Sequence, residues 1–375
     1  MRILYIFRSL AVWGGIERIL VEKMNYLSSV YGYDVYMITS DQGNHPIPYH
    51  LEGKVHFDDL NVRFHQQYQY NIFKRKWLAK KLKRIYEQRL GERIQYIRPD
   101  IIVCTTADYI DSLIKLKGTI PMVVESHSIC LRTIEDGRYW LQRKWNKHLY
   151  LTPLSKVDVI VALTEGDANE WRKIHPHVVV IPNIVHLNKG TASTLKNKRV
   201  IWVGRFDYQK RPLEMVKIWE KIQPQFPDWQ LDIYGEGEQR NELENDVRSS
   251  GMNIVVHQPT EHIFDCYRES SILVSTSLFE PFGLVIPEAM ICGLPVVSFD
   301  CPYGPASIIS DGENGFLIPC GDKTAFADKL SLLMSSRDLR INMGKAGIMA
   351  SKRYEVTQIM PLWIKLFERL LHNLD

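Results

Sequence analysis

Residues 272–299 read ILVSTSLFEPFGLVIPEAMICGLPVVSF, and this stretch indicates the fold class. An apolar, β-rich run at each end brackets a turn that contains Pro281 and Gly283. Pro287 follows at a spacing that suits the first turn of a helix, where the missing proline N–H would have no helical partner in any case. The order strand, loop, helix, strand is typical of a parallel sheet flanked by helices.

The same alternation of short apolar runs and amphipathic stretches continues on both sides of this segment. In the first half the predicted strands are Arg2–Phe7, Asp34–Thr39, Ile101–Cys104, Met122–Glu125 and Val157–Leu163, with a helix over Gly15–Ser29. In the second half they are Arg199–Val203, Gln230–Tyr234, Asn253–Val256, Ile272–Ser275 and Pro295–Phe299. In open α/β sheets, ligands bind at the carboxyl ends of such strands. The polar or glycine-bearing turns that follow the strands are therefore the places to look for a site.

The segment 186–198 is polar, lacks an apolar period and reads as a linker. We therefore predict an α/β chain of two Rossmann-like domains, residues 1–185 and residues 199–375. A helix over Thr357–Leu374 is expected to close the second domain, because an apolar side chain recurs there every four positions. Two such sheets facing each other would enclose a cleft.

The composition of the 375 residues is that of an ordinary globular protein, with 45% hydrophobic and 24% charged side chains. No apolar run approaches the ~20 residues that a spanning helix needs. Arg8 interrupts the N-terminal apolar run, so no signal peptide is indicated and we expect a cytoplasmic protein. Six scattered cysteines without a CxxC pair argue against a zinc site and against a disulfide framework.

Glu280 and Glu288 stand eight positions apart, the first in the predicted loop and the second in the predicted helix. Both carboxylates could therefore meet one extended ligand. The backbone N–H groups of Phe282, Gly283 and Leu284 could meet an anionic or hydroxylated group between them. Alternatively, the two glutamates are surface charges.

A second loop follows the first predicted strand of the second half and reads GRFDYQK over residues 204–210. Gly204 lets the backbone turn closely, while Arg205 and Lys210 place two cations on one loop. A diphosphate is the natural partner, because a guanidinium group can fork two phosphate oxygens and an ammonium group adds a compact charge. Alternatively, the two cations pair with acidic neighbours such as Asp207.

At these motifs the sequence resembles the retaining, nucleotide-sugar-dependent glycosyltransferases of family 4, which have the GT-B architecture of two facing Rossmann-like domains. The resemblance rests on the G-R-x4-K element at Gly204–Lys210 and on the E-x7-E element at Glu280–Glu288. It extends to the loop at Gly14–Gly15 and to Ile181–Asn183, and it covers essentially the whole chain. The motif at Cys301–Pro305 is similar to that of enzymes of bacterial surface-polysaccharide assembly, often with uridine-linked donors and lipid-linked acceptors.

The resemblance implies roles for the residues of the second half. Arg205 and Lys210 would bind the donor diphosphate and stabilise negative charge on the departing nucleotide. Glu280, with the N–H groups that follow it, would hold hydroxyls of the transferred sugar, and Glu288 would hold ribose hydroxyls. Gly235 would let the nucleotide base lie against the backbone.

The resemblance also implies roles for three residues of the first half. Gly14 and Gly15 would let the first loop approach the donor phosphates. His127, which follows the predicted strand Met122–Glu125, would contact the donor sugar near the reacting carbon. Alternatively, His127 is a polar structural residue.

These implications describe a retaining hexosyltransferase or N-acetylhexosaminyltransferase. It would move a sugar from a nucleotide-diphosphate donor, with a uridine nucleotide favoured, to a hydroxyl of a saccharide or lipid-linked saccharide acceptor. No Asp-x-Asp motif occurs, so no metal or other cofactor is expected. One departure is that Ala306 and Ser307 stand where many relatives carry Arg-Glu.

Two other functions remain open, a sugar-nucleotide epimerase on the same fold and a non-catalytic membrane-associated scaffold. A dehydrogenase is disfavoured, because Arg240 occupies the third glycine position of a dinucleotide fingerprint that would begin at Gly235. An epimerase would release no nucleotide as its regular product. Nucleotide release therefore separates it from a transferase.

Residues 72–86 predict a basic amphipathic helix, and between residues 61 and 98 there are 11 Lys/Arg against two Glu (11 − 2 = +9). The region 72–90 could dock on an anionic membrane at the inner face of the cell membrane. Alternatively, it is a sheet-flanking helix whose lysines face water. No nucleic-acid recognition motif accompanies the charge. The apolar side of the helix would comprise Trp77, Leu78, Leu82, Ile85 and Tyr86.

Overall fold

The computed structural model describes residues 1–105, 109–130, 151–185 and 190–372. Within these residues the chain forms two compact α/β units. The first unit comprises Met1–Ile181 and Met360–Asp375, and the second comprises Pro182–Ile359.

The first unit is built on a parallel sheet. Its described strands, in chain order, are β1 (Arg2–Phe7), β2 (Asp34–Thr39), β3 (His56–Asp59), β4 (Ile101–Thr105), β5 (Met122–Glu125), β6 (Val159–Ala162) and β7 (Val178–Val180). They pair in parallel in the order β3-β2-β1-β4-β5-β6-β7. The order changes direction between β1 and β4, which is the topological switch point of a doubly wound sheet.

Two strands of this sheet were not predicted. The strand β3 reads HFDD, which is too polar for the apolar pattern, and β7 has only three residues. Both lie at the edges of the sheet. The central strands β1, β4, β5 and β6 are buried almost throughout, as their continuous apolar runs predict for a parallel sheet covered on both faces.

The described helices of the first half are α1 (Gly15–Ser29), α2 (Ile72–Ile97), α3 (Ile110–Leu116) and α4 (Glu165–Arg172). Asn71 begins α2 by accepting a hydrogen bond from the Lys74 N–H, and Thr164 begins α4 by accepting one from the Asp167 N–H. The apolar core between these helices and the sheet includes Leu82, Tyr86, Leu90, Ile94 and Ile97 of α2.

The helix α2 has 26 residues, and residues 72–77 at its start are exposed. Leu78 and Ile85 pack on the core as the pattern predicted, but the Trp77 side chain is 62% exposed and Phe73 is 86% exposed. The first fully buried position is Leu82. The apolar face predicted to begin at Trp77 therefore begins at Leu78, and the Trp77 side chain lies outside it.

The second unit contains a second parallel sheet. Its strands are β8 (Arg199–Val203), β9 (Gln230–Tyr234), β10 (Ile254–His257), β11 (Ile272–Ser275), β12 (Val296–Asp300) and β13 (Gly315–Pro319). They pair in parallel in the order β10-β9-β8-β11-β12-β13, so β8 and β11 are central neighbours. The five predicted strands are all present, with boundaries that differ by at most one residue, and β13 was not predicted.

The helices that accompany this sheet are α5 (Pro212–Ile222), α6 (Arg240–Ser250), α7 (Ile263–Glu269), α8 (Val285–Ile291), α9 (Gly304–Ile308), α10 (Lys323–Ser335) and α11 (Arg337–Ser351). The order β11, α8, β12 is the strand-helix-strand unit predicted from residues 272–299. Pro287 occupies the third position of α8, in its first turn.

The predicted domain boundaries need two corrections. Of the predicted linker 186–198, residues 186–189 lie outside the described residues, and the remainder is fastened to the second unit. Leu195 is buried, its carbonyl accepts a hydrogen bond from the Arg340 guanidinium, and the Ser193 hydroxyl donates to the Ser270 carbonyl. The second unit therefore begins at Pro182, before the polar segment.

The second correction concerns the last helix, α12 (Val356–His372). The sequence predicts that the whole helix belongs to the second domain, whereas the chain from Met360 onward packs with the first unit. Trp363 and Phe367 of this helix are buried, and the Lys23 ammonium of α1 lies over the Trp363 ring, 4.2 Å from its centroid. The apolar face of α12 was correctly predicted, but periodicity does not specify which sheet such a face covers.

None of the helices in the described part of the chain is both long and apolar enough to cross a membrane.

Candidate active site

The candidate residues of the second unit follow the carboxyl ends of β8, β9 and β11. The loop at residues 204–210 follows β8, Gly235 follows β9, and the turn at residues 279–284 follows β11. Because these strands are adjacent and parallel, their carboxyl ends meet at one edge of the sheet. The structure thus brings together the two motifs that the sequence separates by 70 residues.

Lys210 and Glu280 form the central contact of this edge. The Lys210 ammonium donates to Glu280 Oε1 at 2.5 Å, and the Ser277 hydroxyl donates to the same oxygen at 2.7 Å. The side chain of Lys210 is 18% exposed and that of Glu280 is 4% exposed. Lys210 is therefore not a free loop cation, and removal of its charge leaves a nearly buried carboxylate with one partner fewer.

Arg205 lies on the same loop but faces solvent, with 69% of its side chain exposed. Its guanidinium forms an ion pair with Asp207 at 3.1 Å and donates to Gln209 Oε1 at 3.1 Å. The alternative in which the cations of this loop pair with Asp207 is thus confirmed for Arg205. Lys210 instead pairs across the site, and only its backbone N–H donates to Asp207, at 2.9 Å.

The loops after β8 and β11 are joined by backbone contacts around Gln209. The Leu278 N–H donates to the Gln209 carbonyl at 2.7 Å, and the Gln209 side-chain amide donates to the Phe279 carbonyl at 3.1 Å. These bonds fix the register between the cationic and the acidic loop. The short distance from Lys210 to Glu280 follows from this register.

Glu280 is also held by its backbone against the loop after β12. Its N–H donates to the Pro302 carbonyl at 2.7 Å, and its carbonyl accepts from the N–H groups of Tyr303 and Gly304 at 2.8 Å each. A Cβ atom at Gly304 would lie 2.2 Å from the Phe282 carbonyl oxygen, so a side chain there would displace the turn. The backbone of Pro302, Tyr303 and Gly304, within the Cys301–Pro305 motif, therefore holds Glu280 in place.

The residues that depart from the family pattern lie just beyond this contact. Ala306 is exposed on α9, and the Ser307 hydroxyl donates to the Gly304 carbonyl at 2.6 Å. The Ser307 carbonyl accepts from the Tyr354 hydroxyl at 3.1 Å. Ser307 thus completes a local turn, and neither residue places a carboxylate there.

Glu288 lies on α8 and is buried, 4% exposed. The Tyr267 hydroxyl donates to its Oε2 at 3.3 Å, and Tyr267 is itself fully buried. Glu288 is therefore not a surface charge. Its implied contact with the ribose remains a prediction.

The turn between the two glutamates contains the other predicted ligand-binding positions. Phe282 is buried with its ring edge-on to Tyr354, at 5.1 Å between centroids. Gly283 has a positive φ of 86° and accepts at its carbonyl from the Ile286 N–H, while Leu284 precedes the first residue of α8. Their N–H groups stay candidates for contact with a ligand.

Gly235 packs on the loop that contains Gly204. Its φ is +155°, and a Cβ atom there would lie 1.9 Å from the Gly204 carbonyl oxygen. The Gly204 N–H donates to the Tyr234 carbonyl at 3.1 Å, and the Phe206 N–H donates to that of Glu236 at 2.8 Å. The close packing of the two loops therefore requires a glycine at position 235, whether or not a nucleotide base binds there.

Gly14 and Gly15 belong to the first unit, at the beginning of α1. Gly14 is the N-cap residue, and its carbonyl accepts from the Tyr49 hydroxyl at 3.0 Å. Gly15 is the first helical residue. Trp13, next to them, is exposed and edge-on to Tyr49, at 5.0 Å between centroids.

His127 follows β5 in the first unit, and its side chain is nearly buried. Its Nε2 lies 3.1 Å from Glu125 Oε2, and the same oxygen accepts from the Lys23 ammonium. Burial raises the pKa of Glu125, but the charge of Lys23 and the bond to His127 outweigh it and lower the pKa to about 2. Lys23 was not predicted as a site residue, and its position among the apolar residues of α1 is the signal that could have found it.

The residues described contain no cluster of three or more His, Cys, Asp or Glu side chains that could hold a metal ion. Arg205 and Lys210 place cations at the site of the second unit, and the Arg240 guanidinium donates to the Gly235 carbonyl at 3.1 Å.

Two family models match the chain. The model for glycosyltransferase family 4 matches residues 13–189, and that for glycosyl transferases group 1 matches residues 187–349. An uncharacterized glycosyltransferase from Haemophilus influenzae is 27% identical over 366 residues, which cover 93% of this chain and 95% of that protein.

A second relative comes from Campylobacter jejuni and is 23% identical over 358 residues, 94% of each chain. It is named GalNAc-α-(1→4)-GalNAc-α-(1→3)-diNAcBac-PP-undecaprenol α-1,4-N-acetyl-D-galactosaminyltransferase. Among solved structures, a mutant of TarM from Staphylococcus aureus, in complex with fondaparinux, α-GlcNAc-glycerol and UDP, has a TM-score of 0.80. It is 16% identical, with 98% of this chain and 99% of that chain covered, and this likeness shows the fold.

The chain has two α/β units, each built on a parallel sheet. Together with these likenesses, they define an enzyme of the GT-B class, as the resemblance implied. The two family models, which match consecutive parts of the chain, identify the family within this class. The chain belongs to the family 4-like glycosyltransferases.

Proposed function

We propose that this enzyme is a metal-independent, retaining glycosyltransferase that uses a nucleotide-diphosphate sugar and acts in the assembly of a surface polysaccharide. The observation that supports it best is the contact between Lys210 and Glu280, 2.5 Å long and mostly shielded from solvent. A cation for phosphate and a carboxylate for sugar hydroxyls thus lie side by side. A nucleotide-diphosphate sugar needs both groups at its phosphate–sugar junction.

The residues of the second unit have distinct roles in this proposal. Arg205 and Lys210 bind the diphosphate and stabilise the charge that develops on it as the bond to the sugar breaks. Glu280 holds sugar hydroxyls as oxocarbenium character develops, and Glu288 holds the ribose. The leaving phosphate accepts the proton of the acceptor hydroxyl on the same face, which gives retention without a covalent intermediate.

The donor is proposed to be a UDP-sugar and the acceptor a saccharide or lipid-linked saccharide. The staphylococcal structure was solved with UDP, and the name of the Campylobacter relative specifies an acceptor on diphospho-undecaprenol and transfer of an N-acetylhexosamine. Both support the proposal by likeness. A hexosyl or N-acetylhexosaminyl group is the expected unit of transfer.

The proposal is tested by measuring nucleotide release from a panel of uridine, guanosine and adenosine diphosphate sugars. A transferase hydrolyses its donor slowly without acceptor, so we expect one UDP-sugar to release UDP above background. Conversion of the sugar without release of nucleotide would indicate an epimerase. No turnover and no binding of any donor would support the scaffold alternative. With an acceptor, the anomeric configuration of the product decides retention.

We propose that the enzyme contacts the membrane, where a lipid-linked acceptor would lie, through residues 68–81, which comprise the start of α2 and the residues just before it. Four aromatic side chains are exposed there, and cations lie over three of them: Lys74 over Tyr70 at 4.0 Å, Arg75 over Tyr68 at 4.4 Å and Lys81 over Trp77 at 5.5 Å. Aromatic rings with basic neighbours suit the headgroup region of an anionic bilayer. The fourth ring is that of Phe73.

Vesicle binding tests this contact. We expect binding to increase with anionic lipid and to weaken with salt, because the attraction falls off within a Debye length of ~8 Å at physiological ionic strength. Replacement of Lys76, Lys80, Lys81 and Lys83 by glutamine should weaken binding by up to about 10³-fold, at about 1 kcal/mol per basic residue. Donor hydrolysis should not change. Binding as tight as that of wild type would contradict the membrane contact.

A further inference from the structure

A cluster of buried charged and aromatic side chains surrounds the histidine of the first unit. Lys23 on α1 and Glu125 at the end of β5 form an ion pair in which each side chain is 2% exposed. Oε2 of this carboxylate also lies 3.1 Å from His127 Nε2. The ammonium lies 4.2 Å from the Trp363 ring centroid and 5.8 Å from that of Tyr5.

The protonation of this cluster follows from its contacts. With its pKa at about 2, the Glu125 carboxyl is ionised at neutral pH, and an ionised carboxylate can only accept hydrogen bonds. Nε2 of His127 must then carry the proton of the hydrogen bond that joins the two side chains. The other ring nitrogen, Nδ1, is not engaged by Glu125.

Lys23 is necessary for this arrangement because an isolated carboxylate is costly to bury. The ammonium faces the carboxylate on one side and the face of the Trp363 ring on the other, and the electron-rich ring stabilises a cation. The ion pair thus offsets much of the cost of burial, although burial still lowers the pKa of Lys23 and Glu125 Oε1 accepts no hydrogen bond from the described residues. The proposed mechanism assigns neither residue a contact with the substrate.

We propose that Lys23 and Glu125 are positioning residues that hold His127 in one orientation with its proton on Nε2, so that Nδ1 is the nitrogen presented to a sugar hydroxyl. This rests on the proposed function and on the contact of His127 with the donor sugar that the family resemblance implies. A carboxylate that orients a histidine in this way is a common support for a functional imidazole.

The wild-type protein tests the first part of the proposal without any assay of activity. In the full chain labelled with ¹⁵N at histidine, the His127 signals are assigned by their loss in His127→Gln. We expect Nε2 to be protonated at neutral pH. A neutral His127 with its proton on Nδ1 would overturn the proposal.

The second part is tested by Lys23→Met with Glu125→Met, which removes both charges at similar volume and is therefore expected to fold. We expect His127 to lose its strict preference for the Nε2 proton. The kcat of donor hydrolysis should fall by about 10- to 100-fold with KM within about threefold, the usual cost of losing such a support. The wild-type tautomer together with wild-type kcat in this variant would overturn the proposal.

A matched control is Lys117→Met with Asp158→Asn, which removes an ion pair of 3.0 Å in the same unit that has no contact with His127. We expect this control to keep both the tautomer and the kcat. If the double methionine variant does not fold, the wild-type spectrum still tests whether Nε2 of His127 carries the proton. Wild-type hydrolysis by His127→Gln would refute the proposed contact with the sugar, while the spectrum would still test the positioning.

Discussion

Each unit contains a lysine–glutamate pair near the carboxyl ends of its strands, and the two pairs differ in their access to solvent. Lys210 and Glu280 lie at an edge, with the lysine partly open, whereas Lys23 and Glu125 are both enclosed. A pair that a ligand can reach can exchange its partner for a phosphate or a hydroxyl. An enclosed pair can act only through its neighbours, which here include His127.

Breaking the enclosed pair should have the largest effect on stability. We expect Lys23→Ala to lower the free energy of unfolding by about 3 to 5 kcal/mol, because it leaves Glu125 charged and buried without its counter-ion. Urea denaturation measures this. Lys173→Ala removes the exposed pair with Glu170 in the same unit and should cost at most about 1 kcal/mol. Equal losses in the two variants would mean that enclosure does not distinguish the pairs.

Breaking the accessible pair should primarily affect turnover. We expect Lys210→Ala to lower nucleotide release about 10²-fold or more, since it removes a charge preorganised for the leaving diphosphate. Its loss of stability should be smaller than that of Lys23→Ala, because Glu280 keeps its bond from Ser277. Lys217→Ala, at an exposed position of α5, is the control. Wild-type release by Lys210→Ala would refute the diphosphate site.

The buried carboxylate of Asp167 differs from Glu125 and Glu280 in that, among the described residues, hydrogen-bond donors, and no ammonium group, contact it. Asp167 accepts from the Cys130 N–H at 2.7 Å and from the Trp171 indole at 3.1 Å. Burial raises its pKa to about 6, against the bonds from Cys130 and Trp171. Folding therefore favours the protonated acid, and stability from this group decreases as the pH rises from about 4 through 6.

The variant Asp167→Asn lacks this titration. Between pH 4 and pH 7 we expect the wild type to lose roughly 2 to 3 kcal/mol relative to the variant, at about 1.4 kcal/mol per pKa unit. Glu125 acts in the opposite direction, because its pKa is lowered. It stabilises the fold above about pH 4.5 and loses that contribution as the pH falls toward 2. Parallel pH curves for wild type and variant would show that Asp167 is not strained by burial.

The smallest expected effect is that of a chelator. If Arg205 and Lys210 supply the charge that a metal would otherwise provide, EDTA should leave nucleotide release within about twofold of its untreated value. Addition of Mg²⁺ or Mn²⁺ should not raise it. Loss of activity in EDTA that either ion restores would show that the accessible pair does not suffice.

The sequence predicted Lys210 and Glu280 as site residues, though not their contact, and it missed Lys23 of the enclosed pair for a physical reason. Lys210 and Glu280 stand in turns whose glycine and proline content reports their geometry. Lys23, in contrast, stands among the apolar residues of α1, but a lysine in an amphipathic helix ordinarily faces water, so its position alone does not identify its partner. Its burial depends on Glu125, 102 residues later, and on Trp363, which come together only in the folded chain.

The fold likewise contains elements that their own residues predict and elements that depend on residues distant in the sequence. The central strands could be predicted from their apolar runs, because each run is buried wherever it lies in the sheet. The edge strand β3 could not, since HFDD becomes a strand only by pairing with β2. Likewise, the periodicity of α12 gives its apolar face but does not give the unit on which that face packs.

The return of α12 to the first unit has a consequence for synthesis on the ribosome. Trp363, which covers Lys23, follows Ile181 by 182 residues, so the second unit is made in full before the first can close. At about 5 to 20 residues per second, this interval is roughly 10 to 40 s. During it the nascent first unit has an uncovered lysine–glutamate pair and an open apolar strip, the kind of surface that chaperones recognise. The order of completion is thus the reverse of the order of translation.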